Sequence, residues 1–347
     1  MELKLKNIGM IKEANVKIDG LTVIAGENDT GKSTVGKMLF SIIKSDNIAQ
    51  TQKANKQNAK RILATRLNLV FDGNISYNGE AALKSTTNEI ITKITIQDKN
   101  FISEYITNNQ NKERFFDVTF VQSPIVFDMI EFFNSVSRMR DRGKFELGLD
   151  FNVSYPYMMW DLYDKLSREN PYPHARRQQK IKNMIAKIIT GNLEFDSSKF
   201  YYNKIIENSA IKIEMENTAT GIKSFGIIQI LNDNKFFIKK NLLILDEPEV
   251  HLHPKWQLKM AELIVLLVKN GFKIVVNSHS PYMVEALQRY SELENVTSDF
   301  YLAEDGYIKK ENDSNSETLS KIFEKLSEPF DVFEEMDSQR MENLING

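Results

Sequence analysis

Gly26-Glu27-Asn28-Asp29-Thr30-Gly31-Lys32-Ser33 decides the fold, because it has the spacing of a phosphate-binding loop, G-x-x-x-x-G-K-S. The loop follows Leu21-Thr22-Val23-Ile24-Ala25, an apolar run typical of a buried strand, and a helix is expected to begin near Ser33. The two glycines allow main-chain N–H groups to point inward at a phosphate, and the positive end of the helix faces the same anion. The order of strand, loop and helix predicts a nucleotide site rather than an ordinary Gly-rich turn.

The loop also assigns roles to its residues. Lys32 is expected to reach the β and γ phosphates, and the Ser33 hydroxyl is expected to bind Mg²⁺. The sequence therefore predicts ATP and Mg²⁺ as ligands. The predicted nucleotide-binding residues are Gly26, Glu27, Asn28, Asp29, Thr30, Gly31, Lys32, Ser33 and Thr34.

Composition limits the class of protein. The chain has 347 residues, 41% of them hydrophobic, so it can bury a sizeable core. It has no cysteine, which excludes disulfides and thiolate metal sites. Its longest apolar run, Leu263 to Val268, is too short to span a membrane, and we expect a cytoplasmic protein with no membrane partner. A net charge of −2 argues against a uniformly basic nucleic-acid binder.

A second motif lies far along the chain, where Asn241-Leu242-Leu243-Ile244-Leu245-Asp246-Glu247 reads as a buried strand ending in two carboxylates. Asp246 is placed to hold the hydration shell of Mg²⁺ beside Ser33. Glu247 is placed to orient or deprotonate the water that attacks the γ phosphate. The alternative, a strand followed by solvated acids, is weakened by the phosphate-binding loop in the same chain.

Two further strands deliver polar residues to the same edge of the predicted sheet. Residues 272–277 are apolar and lead into Ser278-His279-Ser280-Pro281, so His279 can donate to the γ phosphate. The strand candidate Asp117 to Val121 ends at Gln122, which can contact Mg²⁺ and the attacking water. We predict Glu247, His279 and Gln122 as catalytic residues and Ser33, Asp246 and Gln122 as metal contacts.

The chain also contains a pair of neighbouring histidines. His251 and His253 lie close to Asp246 in sequence, and such a pair can bind a transition metal. No cysteine supports that hypothesis, so we interpret both histidines as orienting groups and interface contacts.

Together these motifs resemble the ABC-type ATPases of the SMC/Rad50 and OLD (overcoming lysogenization defect) group, and most closely small stand-alone AAA-like ATP-binding proteins related to OLD. Residues 246–254 read D-E-P-E-V-H-L-H-P, residues 277–281 carry the switch histidine and Gln122 matches the Q-loop glutamine. In the loop, Asn28 matches the family pattern, while Asp29 and Thr30 replace Gly and Ser. The resemblance covers roughly residues 1–50, 115–125 and 210–305.

The resemblance implies an α/β fold: an ABC-type P-loop NTPase with a mixed, largely parallel core sheet, an N-terminal antiparallel subdomain and a helical insertion lobe. The expected units are residues 1–124 for the N-terminal half of the ATPase domain, 125–192 for the helical lobe, 193–310 for the C-terminal half and 311–347 for an acidic helical tail.

The resemblance also implies a signature motif that reaches the partner's γ phosphate across a head-to-tail dimer. The matching residues are Thr220, Gly221, Lys223 and Ser224, with Ile222 where a second glycine is usual. A hydroxyl residue and a glycine at a helix start expose N–H groups to an anion. The alternative is a simple helix cap.

Two basic segments and the tail are candidate partner surfaces. Residues 53–66 and 174–182 are rich in Lys and Arg and could contact nucleic acid, although such runs are usually solvated. The tail from Glu311 carries ten acids. Its apolar positions around Leu319 to Phe333 either dock a partner or pack on the chain's own domain.

These expectations define three hypotheses. The first is an ATPase that dimerises around ATP and regulates a separately encoded effector, such as a nuclease or toxin, as similar proteins do in bacterial anti-phage systems. The second is a Rad50-like DNA-binding or DNA-repair ATPase, and the third is a non-catalytic nucleotide-binding scaffold. A nuclease is not expected, because the spaced acids of the OLD Toprim domain are missing after His279. The tighter signature of an ABC transporter subunit is missing as well.

Overall fold

The computed structural model describes residues 1–73, 78–97, 101–108, 110–142, 156–168, 176–196, 199–207 and 209–346. Its strands are β1 (Glu2–Ile8), β2 (Ile11–Lys17), β3 (Leu21–Ala25), β4 (Gly79–Lys84), β5 (Ile90–Gln97), β6 (Phe101–Thr107), β7 (Asp117–Val121), β8 (Asn192–Asp196), β9 (Lys199–Ile206), β10 (Ser209–Glu214), β11 (Asn241–Asp246), β12 (Lys273–Ser278), β13 (Ser298–Glu304) and β14 (Tyr307–Lys309). Its helices are α1 (Lys32–Thr51), α2 (Lys56–Phe71), α3 (Ile130–Arg142), α4 (Tyr157–Leu166), α5 (Arg176–Ile189), α6 (Thr220–Asp233), α7 (Pro254–Lys269), α8 (Pro281–Leu293) and α9 (Asn315–Asn346), with short 3₁₀ helices at Pro124–Phe127 and Met215–Asn217.

One mixed sheet of eleven strands organises these elements, in the order β6-β5-β4-β1-β2-β14-β13-β3-β12-β11-β7. The five strands from β13 to β7 are parallel, whereas β6, β5, β4, β1 and β2 pair antiparallel. The chain therefore has the α/β fold with a mixed sheet that the motifs predict. These antiparallel strands come from the N-terminal part of the chain, where the resemblance implied an antiparallel subdomain.

Two hydrophobic cores cover the two faces of the parallel strands. In β11, Leu243 and Leu245 face a core with helices α3 to α8, while Leu242 and Ile244 face a core with α1 and α2. Because both faces are buried, the strand reads as an unbroken apolar run. The carboxyl ends of β3, β7, β11 and β12 lie at one edge of the sheet, where open α/β sheets bind ligands.

The helices expected between residues 125 and 190 are α3, α4 and α5. Their apolar residues, including Phe133, Leu162 and Ile185, join the same core as the parallel strands. Residues 143–155 and 169–175, which include His174 of the predicted basic segment, lie outside the described residues. The three-stranded sheet β10-β9-β8 follows α5 and was not predicted.

The tail forms helix α9, and its two halves differ. Leu319 and Ile322 are buried in the main core, and Phe323 and Leu326 pack against it. This half packs on the chain's own domain, which is one of the two alternatives predicted for the tail. Farther along, Val332, Phe333, Met336 and Met341 are exposed.

Candidate nucleotide site

The phosphate-binding loop joins β3 to α1, as predicted. Gly31 adopts a left-handed φ of 90°, and a Cβ there would lie 2.9 Å from the side chain of Ile11. At Gly26 a Cβ would lie 2.2 Å from the main-chain oxygen of Ala303. Close packing therefore requires glycine at both positions, and the left-handed conformation requires it at Gly31 as well.

Lys32 is buried at the base of this loop. Its Nζ donates to the main-chain oxygen of Gly26 at 2.9 Å and to that of Glu27. Burial lowers the pKa of Lys32, while the carboxylates of Glu247, Asp246 and Glu249 act in the opposite direction. The ammonium group thus interacts electrostatically with three carboxylates, and it lies at the position expected for contact with phosphate oxygens.

Ser33 and Asp246 meet across the loop and the end of β11. The Ser33 hydroxyl donates to Asp246 Oδ1 at 3.0 Å, and Asn277 Nδ2 donates to the same oxygen at 2.6 Å. Burial raises the pKa of Asp246, and these two hydrogen bonds partly offset that effect. A hydroxyl and a carboxylate are oxygen ligands that suit Mg²⁺, so the pair fits the expected metal contact.

Glu247 follows directly, in an unusual backbone conformation. Its φ of 53° is left-handed, a region that non-glycine residues rarely adopt. Its N–H donates to the main-chain oxygen of Asn277 at 2.9 Å, which ties the end of β11 to the end of β12. The carboxylate is then 3.3 Å from Nδ1 of His279. The structure therefore brings two of the predicted catalytic side chains together.

Glu249 is a further acid at this site, and the sequence did not single it out. It is 3% exposed, and its Oε1 accepts from Ser278 Oγ at 2.6 Å and from the N–H of His279 at 2.9 Å. Burial raises the pKa of Glu249 despite these bonds. The only available sequence signal was its place in D-E-P-E, which does not reveal contacts made 29 and 30 residues away.

Gln122 is exposed at the end of β7. It lines a mostly apolar cavity of about 390 Å³ together with Asp246, Glu247, Ser224 and Met260. The cavity places the Q-loop glutamine, the two acids and one signature residue around a common space.

The signature stretch begins helix α6, with Thr220, Gly221 and Ser224 half-buried. A Cβ on Gly221 would lie 2.8 Å from the ring of Trp256, so α7 packs directly against this turn. Lys223 differs from the expectation of a cation facing a partner. It is buried, and its Nζ lies 2.5 Å from Asp128 Oδ1 and 3.0 Å from the main-chain oxygen of Glu216.

The two neighbouring histidines have separate surroundings. His253 caps α7, because its Nδ1 accepts from the N–H of Lys255 at 3.2 Å. His251 is exposed, with a left-handed φ of 63°. Within the described part of the chain, no group of three or more His, Asp or Glu side chains is arranged to hold a metal. No helix in that same part is long and apolar enough to cross a membrane.

Two sequence comparisons relate the chain to known proteins. A family model described as an AAA ATPase domain matches residues 150–284, which contain the signature, Asp246, Glu247 and His279. The Septu protein PtuA of Bacillus thuringiensis is 23% identical over 306 residues, covering 82% of this chain and 72% of that protein.

Solved structures are also similar along most of the chain. The SMC head domain with an extended coiled coil from Pyrococcus furiosus, bound to the C-terminal domain of ScpA, is 12% identical, covers 92% of this chain and 98% of its own, and has a TM-score of 0.46. The SMC head domain from Thermotoga maritima is 13% identical and has a TM-score of 0.42. The match covers 88% of this chain and 96% of that domain.

Residues 150–284 of this chain are thus similar to an AAA ATPase domain, and the phosphate-binding loop, Asp246, Glu247 and His279 lie together at one edge of the sheet.

Proposed function

We propose that this chain binds and hydrolyses Mg²⁺-ATP, that two copies close head-to-tail around ATP, and that the resulting change of shape controls a separately encoded effector in anti-phage defence. The convergence of Lys32, Ser33, Asp246, Glu247 and His279 at the carboxyl ends of β3, β11 and β12 carries the proposal.

Each side chain has a distinct role in hydrolysis. Lys32 exchanges its main-chain oxygen partners for oxygens of the β and γ phosphates. Ser33 and Asp246 would hold Mg²⁺, which would supply positive charge to the phosphate oxygens. Glu247 takes a proton from the attacking water, and His279 donates to the γ phosphate. Gln122, which lines the same cavity, orients that water.

The partner copy completes the site. Thr220, Gly221 and Ser224 lie at the N-terminus of α6, where N–H groups and the helix dipole favour an anion. We assign Lys223 to support of this helix through Asp128 rather than to the partner's phosphate. Contacts to the γ phosphate exist before hydrolysis and are lost after it, which provides two states for an effector to distinguish.

The likeness to a Septu protein supports a role in anti-phage defence, since Septu is an anti-phage system. Two regions are suited to bind the effector: the helices of residues 125–190, which connect Gln122 to the signature, and the second half of α9. The latter exposes Val332, Met336 and Met341 on an acidic helix.

A Rad50-like DNA-binding ATPase is the second candidate, and one observation favours it. Lys53, Lys56 and Arg61 are exposed around the turn between α1 and α2. Lys53 and Arg61 also line a polar cavity of about 510 Å³ there, which suits a phosphate backbone.

Purified chain tests these functions directly. We expect slow ATP turnover, an ATP-dependent increase in mass by light scattering, no cleavage of DNA or RNA, and capture of a protein partner from native host cells. Tight ATP-dependent DNA binding without any captured protein would favour the Rad50-like function. ATP binding without turnover would favour the third function, a non-catalytic nucleotide-binding scaffold.

A further inference from the structure

Glu249 and His279 each have one buried polar atom without a hydrogen-bond partner. Glu249 uses Oε1 to hold the loop after β12, through Ser278 Oγ and the His279 N–H. Its Oε2 is buried and has no hydrogen-bond partner among the described residues, and the same is true of Nδ1 of His279. Buried polar atoms are nearly always paired, so two adjacent exceptions call for an explanation.

The imidazole lies between two carboxylates. Its Nδ1 is 3.3 Å from Glu247 Oε1 and 3.7 Å from Glu249 Oε1, and neither approach forms a well-directed hydrogen bond. A small rotation of the ring decides which carboxylate accepts the Nδ1 proton. The two acids differ in environment, because the side chain of Glu247 is 34% exposed and that of Glu249 is 3% exposed.

We infer that Glu249 is a positioning residue that accepts the Nδ1–H of His279 during turnover. The contact holds the ring in one orientation, as carboxylates do for histidines in other sites, and it places the proton of the nucleotide-free ring on Nδ1. Donation to the γ phosphate then uses Nε2–H, so the ring carries a proton on both nitrogens in that step. It also leaves both oxygens of Glu247 available to the attacking water, because a carboxylate that already accepts a strong hydrogen bond is a weaker base. Glu249 is suited to this role because it already anchors the main chain of His279.

This inference rests on the proposed ATP hydrolysis, and its test has one readout that does not need turnover. Glu249→Gln keeps an oxygen for Ser278 and the His279 N–H, but it removes the negative charge and replaces the unpartnered Oε2 by an NH₂ group, which cannot accept Nδ1–H. In wild type, ¹⁵N NMR of the histidines at pH 8.5 is expected to show His279 with its proton on Nδ1. Glu249→Gln is expected to move that proton to Nε2. The assignment is tractable because the chain has four histidines.

Kinetics supply the second readout. We expect Glu249→Gln to lower kcat by about 10-fold to 100-fold, the range for residues that orient a catalytic group, with KM for ATP changed less than about 3-fold. Ser280→Ala is the matched control. It disturbs the same loop by removing the cap of α8 at Met283 and the bond to Gln257, without touching the imidazole. Its kcat is expected to stay within about 3-fold of wild type.

The outcomes separate the two proposals. An Nε2–H tautomer in wild type, or the same tautomer in wild type and Glu249→Gln, would overturn the role of Glu249 whatever the turnover. Equal losses of kcat in Glu249→Gln and Ser280→Ala would also overturn it, since loop order alone would then explain the loss. Absence of turnover in wild type would contradict the proposed hydrolysis, while the tautomer would still decide the positioning role.

Discussion

Lys165 of α4 and Asp117 of β7 form an ion pair of 3.2 Å in the interior of the protein. Lys165 is 1% exposed and also pairs with Asp161 at 3.1 Å, while Lys44 of α1 pairs with both aspartates. Two lysines and two aspartates therefore join the phosphate-loop helix, the strand that ends at Gln122 and a helix of the 125–190 region. If these elements move relative to one another, the ion pairs between them must break.

Asp117→Asn is expected to destabilise the protein by about 3 kcal/mol at pH 7, because it leaves a buried lysine with one acid where there were two. Urea unfolding measures the loss. Glu285→Gln is the control, since it breaks an exposed pair with Arg289 on α8. We expect the control to change stability by less than about 1 kcal/mol.

The same variant has a defined pH dependence. Burial raises the pKa of Asp117, but Lys165 and Lys44 outweigh it and hold that pKa below its ordinary value of 3.8. The stabilisation by Asp117 is therefore present above pH 3.8 and is lost as the pH falls through the lower folded-state pKa. The stability difference between wild type and Asp117→Asn should shrink below about pH 4. A difference that is constant from pH 7 to pH 3 would rule out an electrostatic origin.

Lys32→Ala is expected to abolish ATP binding while the chain stays folded. Lys32 is the cation of the phosphate-binding loop, and its bonds to two loop oxygens are replaceable by water. Calorimetric titration with ATP and a thermal melt measure the two properties. Nucleotide affinity equal to wild type would contradict the assignment of the site.

Glu247→Gln is expected to bind ATP normally and to hydrolyse it at least about 100-fold more slowly, the scale for loss of a positioned general base. If ATP drives assembly, this variant should accumulate as a nucleotide-bound dimer in light scattering. Wild-type turnover would remove Glu247 from the catalytic role. A light-scattering mass that does not change with ATP would argue against nucleotide-driven assembly. It would not affect the catalytic role of Glu247.

Local patterns predicted much of the fold and of the nucleotide site. The bounds of β3 and β7 are confirmed to the residue, because each is set by its own run of side chains and by adjacent turn residues. The sheet β8 to β10 was missed: β8 is short, β9 alternates between buried and more exposed positions only over its first four residues, and β10 has no fully buried residue.

Contacts between distant parts of the chain were not predictable in the same way. Lys165 looks like a surface lysine until Asp117 is placed beside it, 48 residues away in sequence. Lys223 looked available to a partner, and its ion pair with Asp128 spans 95 residues. In the sequence, Glu249 looks like one more acid after Asp246 and Glu247, and only the fold shows its contact with Ser278.

Lys223→Met and Asp128→Asn test whether Lys223 acts within its own chain. If Lys223 supports α6 through Asp128, both single variants should weaken ATP-driven assembly, and the double variant should be little worse than either. A coupling energy of about 1 kcal/mol in urea unfolding is expected for such a pair. Loss of assembly in Lys223→Met alone would instead favour contact with the partner's phosphate.

The last prediction concerns helix α9 as the effector-binding surface. A chain ended after Ser327 keeps Leu319 and Ile322 in the core and should retain ATP turnover, whereas one ended after Lys310 exposes that core and should lose stability. The shorter chain is therefore unsuitable for testing partner binding. In a pull-down from native host cells, we expect the chain ended after Ser327 to recover at least about tenfold less partner than the full chain.

Point variants refine this test. Met336→Asp with Met341→Asp changes two exposed apolar side chains of α9, and Leu293→Asp is the control because Leu293 is 77% exposed at the end of α8. Capture should fall for the α9 variant and persist for the control, since apolar contacts carry most of the binding energy of such a helix. Undiminished capture by the α9 variant and by the chain ended after Ser327 would shift the effector surface to the helices of residues 125–190.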